Sequence, residues 1–274
     1  MDTAWTLVRD VIRDDLSMRH AKFTPKFGGH TGAYTGIMTA SDDYSVFIKW
    51  AGEREPFGRE ALRREIAAHQ WLPKKVTGKA CLLAHRESEE GVAAAFGANL
   101  DPSPHYWSQR SLTEAVDATV RAHAALRETD APISLPDTEA RLHRVLDSKD
   151  NPWRKQALKF ADMAYDDDHY NDICHTDLHR GNVLIGATGG TEIVDWAWVT
   201  RIPTVYDFVM LAVDAAVDGF DVYQVAKYAG VKRKEFQLGL AAYAGTLFTL
   251  ATDEHKHART RQIRQNIIAS ALKH

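Results

Sequence analysis

The segment from residue 173 to residue 196 constrains the fold of this 274-residue chain more than any other. It begins Ile-Cys-His-Thr-Asp-Leu-His-Arg-Gly-Asn and continues into two short strand-like runs, Val-Leu-Ile at 183–185 and Glu-Ile-Val at 192–194. A glycine-rich stretch separates these runs, and an Asp-Trp pair follows the second one. Such runs joined by glycines are typical of a β-hairpin. We therefore predict a loop and a hairpin, followed by Asp195, inside a helical region.

The polar residues of this segment have a spacing that suits phosphoryl transfer. The stretch from His175 to Asn182 fits the pattern H-x-D-L-x-x-x-N of kinase catalytic loops, and Asp195 follows Asn182 by thirteen residues. Phosphoryl transfer requires mainly positioning and charge neutralisation, so an Asp can accept a hydroxyl proton while amide and carboxylate oxygens hold Mg²⁺. Because antiparallel strands bring their outer ends together, we expect Asp177, Asn182 and Asp195 to form one oxygen-rich cluster.

A second candidate group lies in the first hundred residues. Lys49 ends the strand-like run Val-Phe-Ile-Lys, and helical periodicity over residues 59–72 includes Glu65. In kinases, a strand lysine that pairs with a glutamate of the next helix holds the ATP phosphates. Glu60 is the competing partner for the lysine.

The glycine-rich segment just before this lysine strand is a candidate phosphate contact. Gly29 and Gly32 belong to it, and glycines allow backbone N–H groups to approach phosphates closely. The segment is not a complete G-x-G-x-x-G, and many glycine-rich turns bind nothing. No G-x-x-x-x-G-K-[ST] occurs in the chain, which disfavours a P-loop enzyme.

A change of texture near residue 98 divides the chain. Residues 97–104 read Gly-Ala-Asn-Leu-Asp-Pro-Ser-Pro, which is typical of a linker. Short β-rich runs precede it, and mostly helical patterns follow it. We therefore predict an α+β fold with a small N-terminal lobe over 1–98, a larger helical lobe over 99–274, and a ligand cleft at the hinge.

Composition excludes several other classes of protein. With 34 Lys+Arg against 37 Asp+Glu the formal charge is −3, which gives no positive field for a nucleic-acid partner. Two cysteines are too few for a small domain held together by disulfides. No apolar run is long enough to span a membrane, so we expect no membrane partner. The N-terminus lacks the pattern of a signal peptide. We expect a cytoplasmic protein, and the sequence leaves its oligomeric state open.

Together these residues resemble the aminoglycoside phosphotransferase family, a small-molecule branch of the protein-kinase-like fold. The family pattern H-G-D-L-H-x-G-N-[IV]-L, followed by [IV]-[IV]-D-W, is matched by residues 175–184 and 193–196. Residues 203–211 are similar to the next family element, and His123 sits like the L-H of the helix after the hinge. Thr176 replaces the usual Gly, and Arg180 stands where Pro is frequent.

The resemblance implies a bilobal protein-kinase-like fold and an ATP- and Mg²⁺-dependent transfer of phosphate to a hydroxyl of a small molecule. It makes Asp177 the catalytic base and Asn182 and Asp195 the Mg²⁺ ligands. The nucleotide-binding residues that it implies are Lys49, Glu65, Gly29 and Gly32.

The identity of the acceptor stays open at this point. An antibiotic or amino-sugar-like acceptor is favoured. The alternatives are a metabolic kinase of the choline, homoserine or methylthio-sugar type and, less favoured, a nucleotide-binding pseudokinase scaffold. The joint presence of the lysine, the two aspartates and the asparagine argues against the scaffold.

Acidic residues recur at positions 207, 214, 218 and 221, and on one continuous helix they would share a face. Such a face suits a cationic acceptor; the alternative is an ordinary solvated helix face. Arg180 adds a charge beside the loop that suits phosphate or an anionic acceptor. We therefore regard Arg180, Asp214 and Asp218 as candidate acceptor-binding residues. Residues 255–274 hold five Lys or Arg and no acid, and their apolar stripe predicts a docked terminal helix.

Overall fold

The structure is a computed structural model that describes residues 4–18, 20–26, 33–40, 44–98, 103–170, 172–186, 190–250 and 258–273. The chain divides into two compact units. The first comprises Met1–Asp101 and Val194–Trp198, and the second comprises Pro102–Ile193 and Val199–His274. The short segment that carries Asp195 therefore groups with the first unit, although it follows the hairpin in sequence.

The first unit contains a five-stranded antiparallel sheet. Its strands are β1 (Lys22–Lys26), β2 (Tyr34–Thr39), β3 (Ser45–Gly52), β4 (Leu82–Ser88) and β5 (Gly91–Gly97). The strand order is β1-β2-β3-β5-β4, so β3 is central and Lys49 lies between Thr35 and Ala94 of its neighbours. β1 contains Pro25, and as an edge strand it tolerates a residue without an N–H.

Helices cover both faces of this sheet. On one face lies α1 (Ala4–Asp10), which continues into a π-helical turn over Val11–Asp15, and on the other lies α2 (Pro56–Trp71). The short α3 (Lys74–Thr77) follows α2 in sequence. Val46 and Ile48 belong to the core that includes α1, whereas Leu62 and Ile66 of α2 pack against the opposite face. Because side chains alternate along a strand, Lys49 points to the face covered by α2.

The second unit is mainly helical. Its elements are α4 (Gln109–Arg127), α5 (Thr138–Asp147), α6 (Arg154–Met163), β6 (Ile173–Cys174), β7 (Val183–Ile185), β8 (Thr191–Ile193), β9 (Thr200–Arg201), α7 (Val205–Ala216), α8 (Val222–Ala229), α9 (Arg233–Leu250) and α10 (Ala258–Ala271). The helix α7 is buried along almost its whole length, and α9 packs against both α6 and α7. In the ranges that the structure describes, no helix is both long and apolar enough to cross a membrane.

The predicted hairpin lies inside this helical unit. β7 and β8 are antiparallel, with Val183 opposite Ile193, and β6 pairs with β9 on either side of the hairpin in sequence. Asn182 immediately precedes β7, and Asp195 follows β8 by two residues. The α+β class predicted from the sequence is therefore confirmed, with a sheet in the N-terminal region and helices in the remainder.

Candidate active site

Lys49 lies between two carboxylates in the first unit. Its Nζ is 2.9 and 2.8 Å from the two carboxylate oxygens of Glu65, and 3.1 Å from Oδ1 of Asp195. The competing Glu60 contacts Arg64 instead, at 2.9 Å. Glu65 reaches the lysine because it lies beside Leu62 and Ile66, on the face of α2 that packs against the sheet.

This cluster is nearly closed to solvent at the lysine and open at the aspartate. The side chains of Lys49 and Glu65 are 12 and 5% exposed, whereas that of Asp195 is 40% exposed. Burial alone would lower the pKa of Lys49, but the carboxylates of Asp195 and Glu65 outweigh burial and raise that pKa. One fixed positive charge therefore stands against two acidic groups.

The segment after Asp195 is packed against the helix that carries Glu65. Asp195 itself has φ of +68°, a left-handed backbone that is strained for a residue with a side chain. Three residues later, the Trp198 ring stacks on Phe57 with centroids 5.6 Å apart, and the Arg64 guanidinium lies 5.2 Å from the Trp198 centroid. Both partners belong to α2. The sequence analysis missed Trp198, because nothing in the pattern Asp-Trp-Ala-Trp tells which indole contacts α2.

The loop before β7 holds Asp177 and Asn182 in the second unit. The Asn182 Nδ2 donates to the backbone oxygen of Asp177 at 2.9 Å, so the amide oxygen is turned away from that contact. The Asp177 N–H donates to Nδ1 of His175 at 3.3 Å, and its side chain is 39% exposed. His179 accepts the Gly181 N–H through Nδ1, and burial lowers the pKa of His179. Asp177 thus presents a partly exposed carboxylate from a hydrogen-bonded loop.

Asp207 supports this loop from α7. Its carboxylate accepts the N–H groups of His175 and Thr176 at 2.9 and 2.8 Å, and Nε2 of His123 donates to it at 2.9 Å. Burial alone would raise the pKa of Asp207, but these hydrogen bonds outweigh burial and lower it. Thr176 has φ of +56°, which explains physically why the family pattern has Gly there.

Among the described residues, one group of three has side chains arranged closely enough to hold a metal ion. It consists of His123, Cys174 and Asp207, all buried. The carboxylate of Asp207 is already the acceptor of three hydrogen bonds, and the Cys174 thiol donates to the Ile202 oxygen at 3.2 Å. Burial raises the pKa of the thiol well above its usual range. These contacts tie α4, β6 and α7 together and give the group a structural role.

The four acidic residues predicted to share one helix face do not lie on one helix. Asp207 and Asp214 are buried on α7, so the alternative of a solvated face is wrong for both. The helix ends at Ala216, before Asp218, and Asp221 caps α8 by accepting the Tyr223 N–H. Sequence spacing assigns residues to a face but does not tell whether that face is buried.

The three candidate acceptor-binding residues contact one another, because Asp214 and Asp218 both bind Arg180. The Arg180 Nε is 3.1 Å from Oδ2 of Asp214, and its Nη1 is 2.8 Å from Oδ2 of Asp218. Arg264 of α10 also contacts Asp214, at 3.0 Å. The basic C-terminal run was visible in the sequence, but no local pattern indicates that one of its arginines binds Asp214 near the loop.

The glycine prediction lies outside the described residues, because both Gly29 and Gly32 fall in the range 27–32. The predicted Mg²⁺ ligands can be judged by their donor atoms. Asn182 offers an amide oxygen whose orientation is set by its own N–H contact, and Asp195 offers a partly exposed carboxylate. Hard oxygen donors of these two kinds fit Mg²⁺.

Comparison with known proteins gives a family for this chain. The model of the phosphotransferase enzyme family matches residues 54–238, a range that includes Glu65, Asp177, Asn182 and Asp195 but not Lys49. No curated protein sequence matches the chain.

Solved structures similar to this one include aminoglycoside phosphotransferases and an amicoumacin kinase. The GDP complex of aminoglycoside 2'-phosphotransferase-IIIa has a TM-score of 0.66 at 12% identity, covering 98% of this chain and 99% of that one. Amicoumacin kinase hAmiN in complex with AMP-PNP, Ca²⁺ and Ami has 0.62 at 12%, covering 98 and 94%. Aminoglycoside phosphotransferase APH(3'')-Id from Streptomyces rimosus, in complex with ADP and streptomycin, has 0.58 at 14%, covering 88 and 98%.

At these identities the likeness establishes the fold, which is the protein-kinase-like fold of aminoglycoside phosphotransferases. The resemblance predicted from the catalytic-loop and hairpin motifs is thereby confirmed. Since the family model covers more than half of the chain, the protein belongs to the phosphotransferase enzyme family.

Proposed function

We propose that the protein transfers the γ-phosphoryl group of ATP, bound together with Mg²⁺, to a hydroxyl group of a small molecule. The observation that carries this proposal is the buried ammonium of Lys49, held charged by Glu65 and Asp195. A preorganised positive charge on a rigid strand suits the negative phosphates of a nucleotide, because little reorganisation is needed when they bind.

The other residues take roles that their surroundings support. Asp177 accepts the proton of the acceptor hydroxyl, since its carboxylate is partly exposed and its loop is held by backbone hydrogen bonds. Asn182 and Asp195 hold Mg²⁺, which when bound neutralises charge on the phosphates. Glu65 keeps Lys49 in place, and we retain Gly29 and Gly32 as proposed phosphate contacts.

For the acceptor we propose an antibiotic or an amino-sugar-like molecule. Support comes from the similar structures, of which one contains streptomycin and another contains Ami. Their nucleotides include ADP, AMP-PNP and GDP, so the nucleotide preference of this chain needs its own test. Arg180, Asp214 and Asp218 remain candidates for contacting the acceptor, although each already binds another charged side chain.

The proposal is tested by measuring nucleoside diphosphate release from ATP and from GTP, with Mg²⁺ or with a chelator. The acceptor panel contains aminoglycosides, nucleoside and peptide antibiotics, amino sugars, choline, homoserine and a methylthio-sugar. We expect ADP release that needs both Mg²⁺ and an antibiotic or amino sugar. The Asp177→Asn variant is the control for contaminating kinases.

The other outcomes are distinct. Release stimulated only by choline, homoserine or the methylthio-sugar would replace the proposed acceptor with a metabolic alcohol. Tight ATP binding without acceptor-stimulated release across the panel would contradict phosphotransfer to these acceptors and favour a nucleotide-binding scaffold.

A further inference from the structure

Three parts of the second unit meet at the carboxylate of Asp214. The backbone N–H and the Nε of Arg180, in the catalytic loop, both donate to Oδ2 at 3.1 Å. Trp107, which precedes α4, donates its Nε1–H to the same oxygen at 2.9 Å. Arg264 of α10 donates from Nη2 to Oδ1 at 3.0 Å. One buried carboxylate of α7 therefore joins the loop to the C-terminal helix.

The catalytic-loop arginine is fixed at every nitrogen of its guanidinium. Besides the Nε contact, Nη2 of Arg180 donates to the backbone oxygen of Asp214 at 3.1 Å. Its Nη1 donates to the backbone oxygen of His105 at 2.9 Å and lies 2.8 Å from Asp218. Arg180 is three residues after Asp177 and two before Asn182. Its anchorage therefore acts on the backbone between the proposed base and the proposed metal ligand.

The arginine of α10 is held from a second side as well. Its Nη1 donates to the hydroxyl of Tyr243 on α9 at 3.3 Å, and only 22% of the Arg264 side chain is exposed. Burial raises the pKa of Tyr243 to about 12, so this hydroxyl keeps its proton and can serve as a neutral acceptor. Arg264 thus presents a directed guanidinium to Asp214.

The cluster is electrically balanced. Burial alone would raise the pKa of Asp214, but the Trp107 hydrogen bond and the charges of Arg180 and Arg264 outweigh burial and lower it. Asp214 and Asp218 together carry two negative charges, matched by the two guanidinium groups. A buried carboxylate pays a large desolvation cost, which this pairing offsets.

We propose that Arg264 is a positioning residue for the catalytic loop, which it fixes through the carboxylate that it shares with Arg180. The α10 helix lies beyond residues 54–238, the range matched by the family model, so this contact is additional to the family pattern. The catalytic consequence rests on the proposed function, whereas the mechanical consequence does not.

The test measures backbone hydrogen exchange of peptides covering residues 173–185 by mass spectrometry. In Arg264→Met we expect exchange in this loop to become roughly tenfold faster, because a hydrogen bond to a charged group is lost. Arg264→Lys keeps the charge and should return exchange toward the wild-type rate. Arg259→Met is the matched control, since Arg259 is an exposed arginine of the same helix and its loss should leave the loop unchanged.

Turnover gives the second readout. With the acceptor found in the panel, Arg264→Met should lower kcat roughly tenfold, because the loosened loop carries Asp177. The KM for ATP should change less than kcat, because Lys49 and Asp195 lie in the other unit. A merely structural role would lower the thermal stability without this split between kcat and KM.

The outcomes separate the two proposals. Unchanged loop exchange in a folded Arg264→Met variant overturns the positioning role, whatever its activity. Faster loop exchange, in a protein whose wild type transfers no phosphate to any acceptor, leaves the positioning role intact and refutes the proposed function. Should Arg264→Met fail to fold, Arg264→Gln, which retains an amide donor, is measured with the same two outcomes.

Discussion

Lys49 in the first unit and Asp214 in the second are each bound by two groups of opposite charge. In the first cluster one ammonium serves two carboxylates, and Asp195 remains 40% exposed. In the second cluster one carboxylate is bound by two guanidinium groups, and the side chain of Asp214 is only 7% exposed. The first cluster has an excess of acid and an open side, whereas the second is neutralised by Asp218 and enclosed.

This difference indicates that the Lys49 cluster can bind a ligand, whereas the Asp214 cluster supports the structure around it. A cluster with a fixed cation and a partly exposed carboxylate can still interact with a charged ligand. A cluster whose charges are matched within itself contributes order to the backbone nearby, here the loop that contains Arg180. The predictions below remove members of each cluster in turn.

The largest effect on stability is expected from Lys49→Met. It leaves Glu65 and Asp195 without the ammonium between them, and removing one partner of a buried ion pair costs about 3–5 kcal/mol. Arg264→Met should cost less, about 1–3 kcal/mol, because Arg180 still pairs with Asp214. Urea denaturation measures both free energies of unfolding.

Lys74→Met is the control for Lys49→Met, because Lys74 is exposed in the same unit. Its free energy of unfolding should stay close to the wild-type value. Equal losses in Lys49→Met and Arg264→Met would contradict this difference between the clusters, since they would mean that the remaining guanidinium of Arg180 does not compensate for the loss of Arg264.

The next effect concerns pH. Burial and, second, the nearby Lys49 ammonium lower the pKa of His69 to about 4, and in the described residues its Nδ1 has no hydrogen-bond partner. The unfolded chain therefore takes up the proton first as pH falls. The stability contributed by neutral His69 is complete above about pH 6.5 and is lost between 6.5 and 4, by up to about 3 kcal/mol.

His69→Leu should flatten this part of the profile of unfolding free energy against pH. This variant tests whether burial beside Lys49 disfavours a second positive charge at His69, whereas the carboxylate of Asp214 is bound by two. A His69→Leu profile that is parallel to the wild-type profile from pH 7 to 4 would contradict a lowered pKa of His69 in the folded protein.

The smallest effect is expected at Trp198. Trp198→Ala removes the stacking on Phe57 and the contact with Arg64, which together should cost about 1–2 kcal/mol. Trp198→Phe keeps an aromatic ring and should recover part of that loss. If alanine and phenylalanine destabilise the protein equally, the ring contact does not fix the segment of Asp195 to α2.

The parts of the fold that could be predicted depend on local spacing. The hairpin of β7 and β8 was predictable because its apolar runs and glycines lie within a dozen residues. The β-rich runs before residue 98 were also predictable, but the edge position of β1, which tolerates Pro25, was not. Edge position depends on the whole sheet.

The candidate site divides in the same way. The contact between Lys49 and Glu65 could be predicted, because a strand and the helix that follows it usually pack against each other. Arg264 and Asp214 are 50 residues apart, and their contact depends on how α10 packs in the second unit. The acidic spacing of α7 was visible, but a buried carboxylate paired with arginine has the same spacing as an exposed one.

The most direct test of the account compares Asp177→Asn with Asp195→Ala. For each variant, the thermal shift caused by ATP with Mg²⁺ is measured beside acceptor-dependent ADP release. We predict that Asp177→Asn keeps the wild-type thermal shift and loses at least ~10²-fold in kcat, because only the base is removed. Asp195→Ala should lose the Mg²⁺-dependent thermal shift itself. Wild-type turnover in Asp177→Asn would contradict the account.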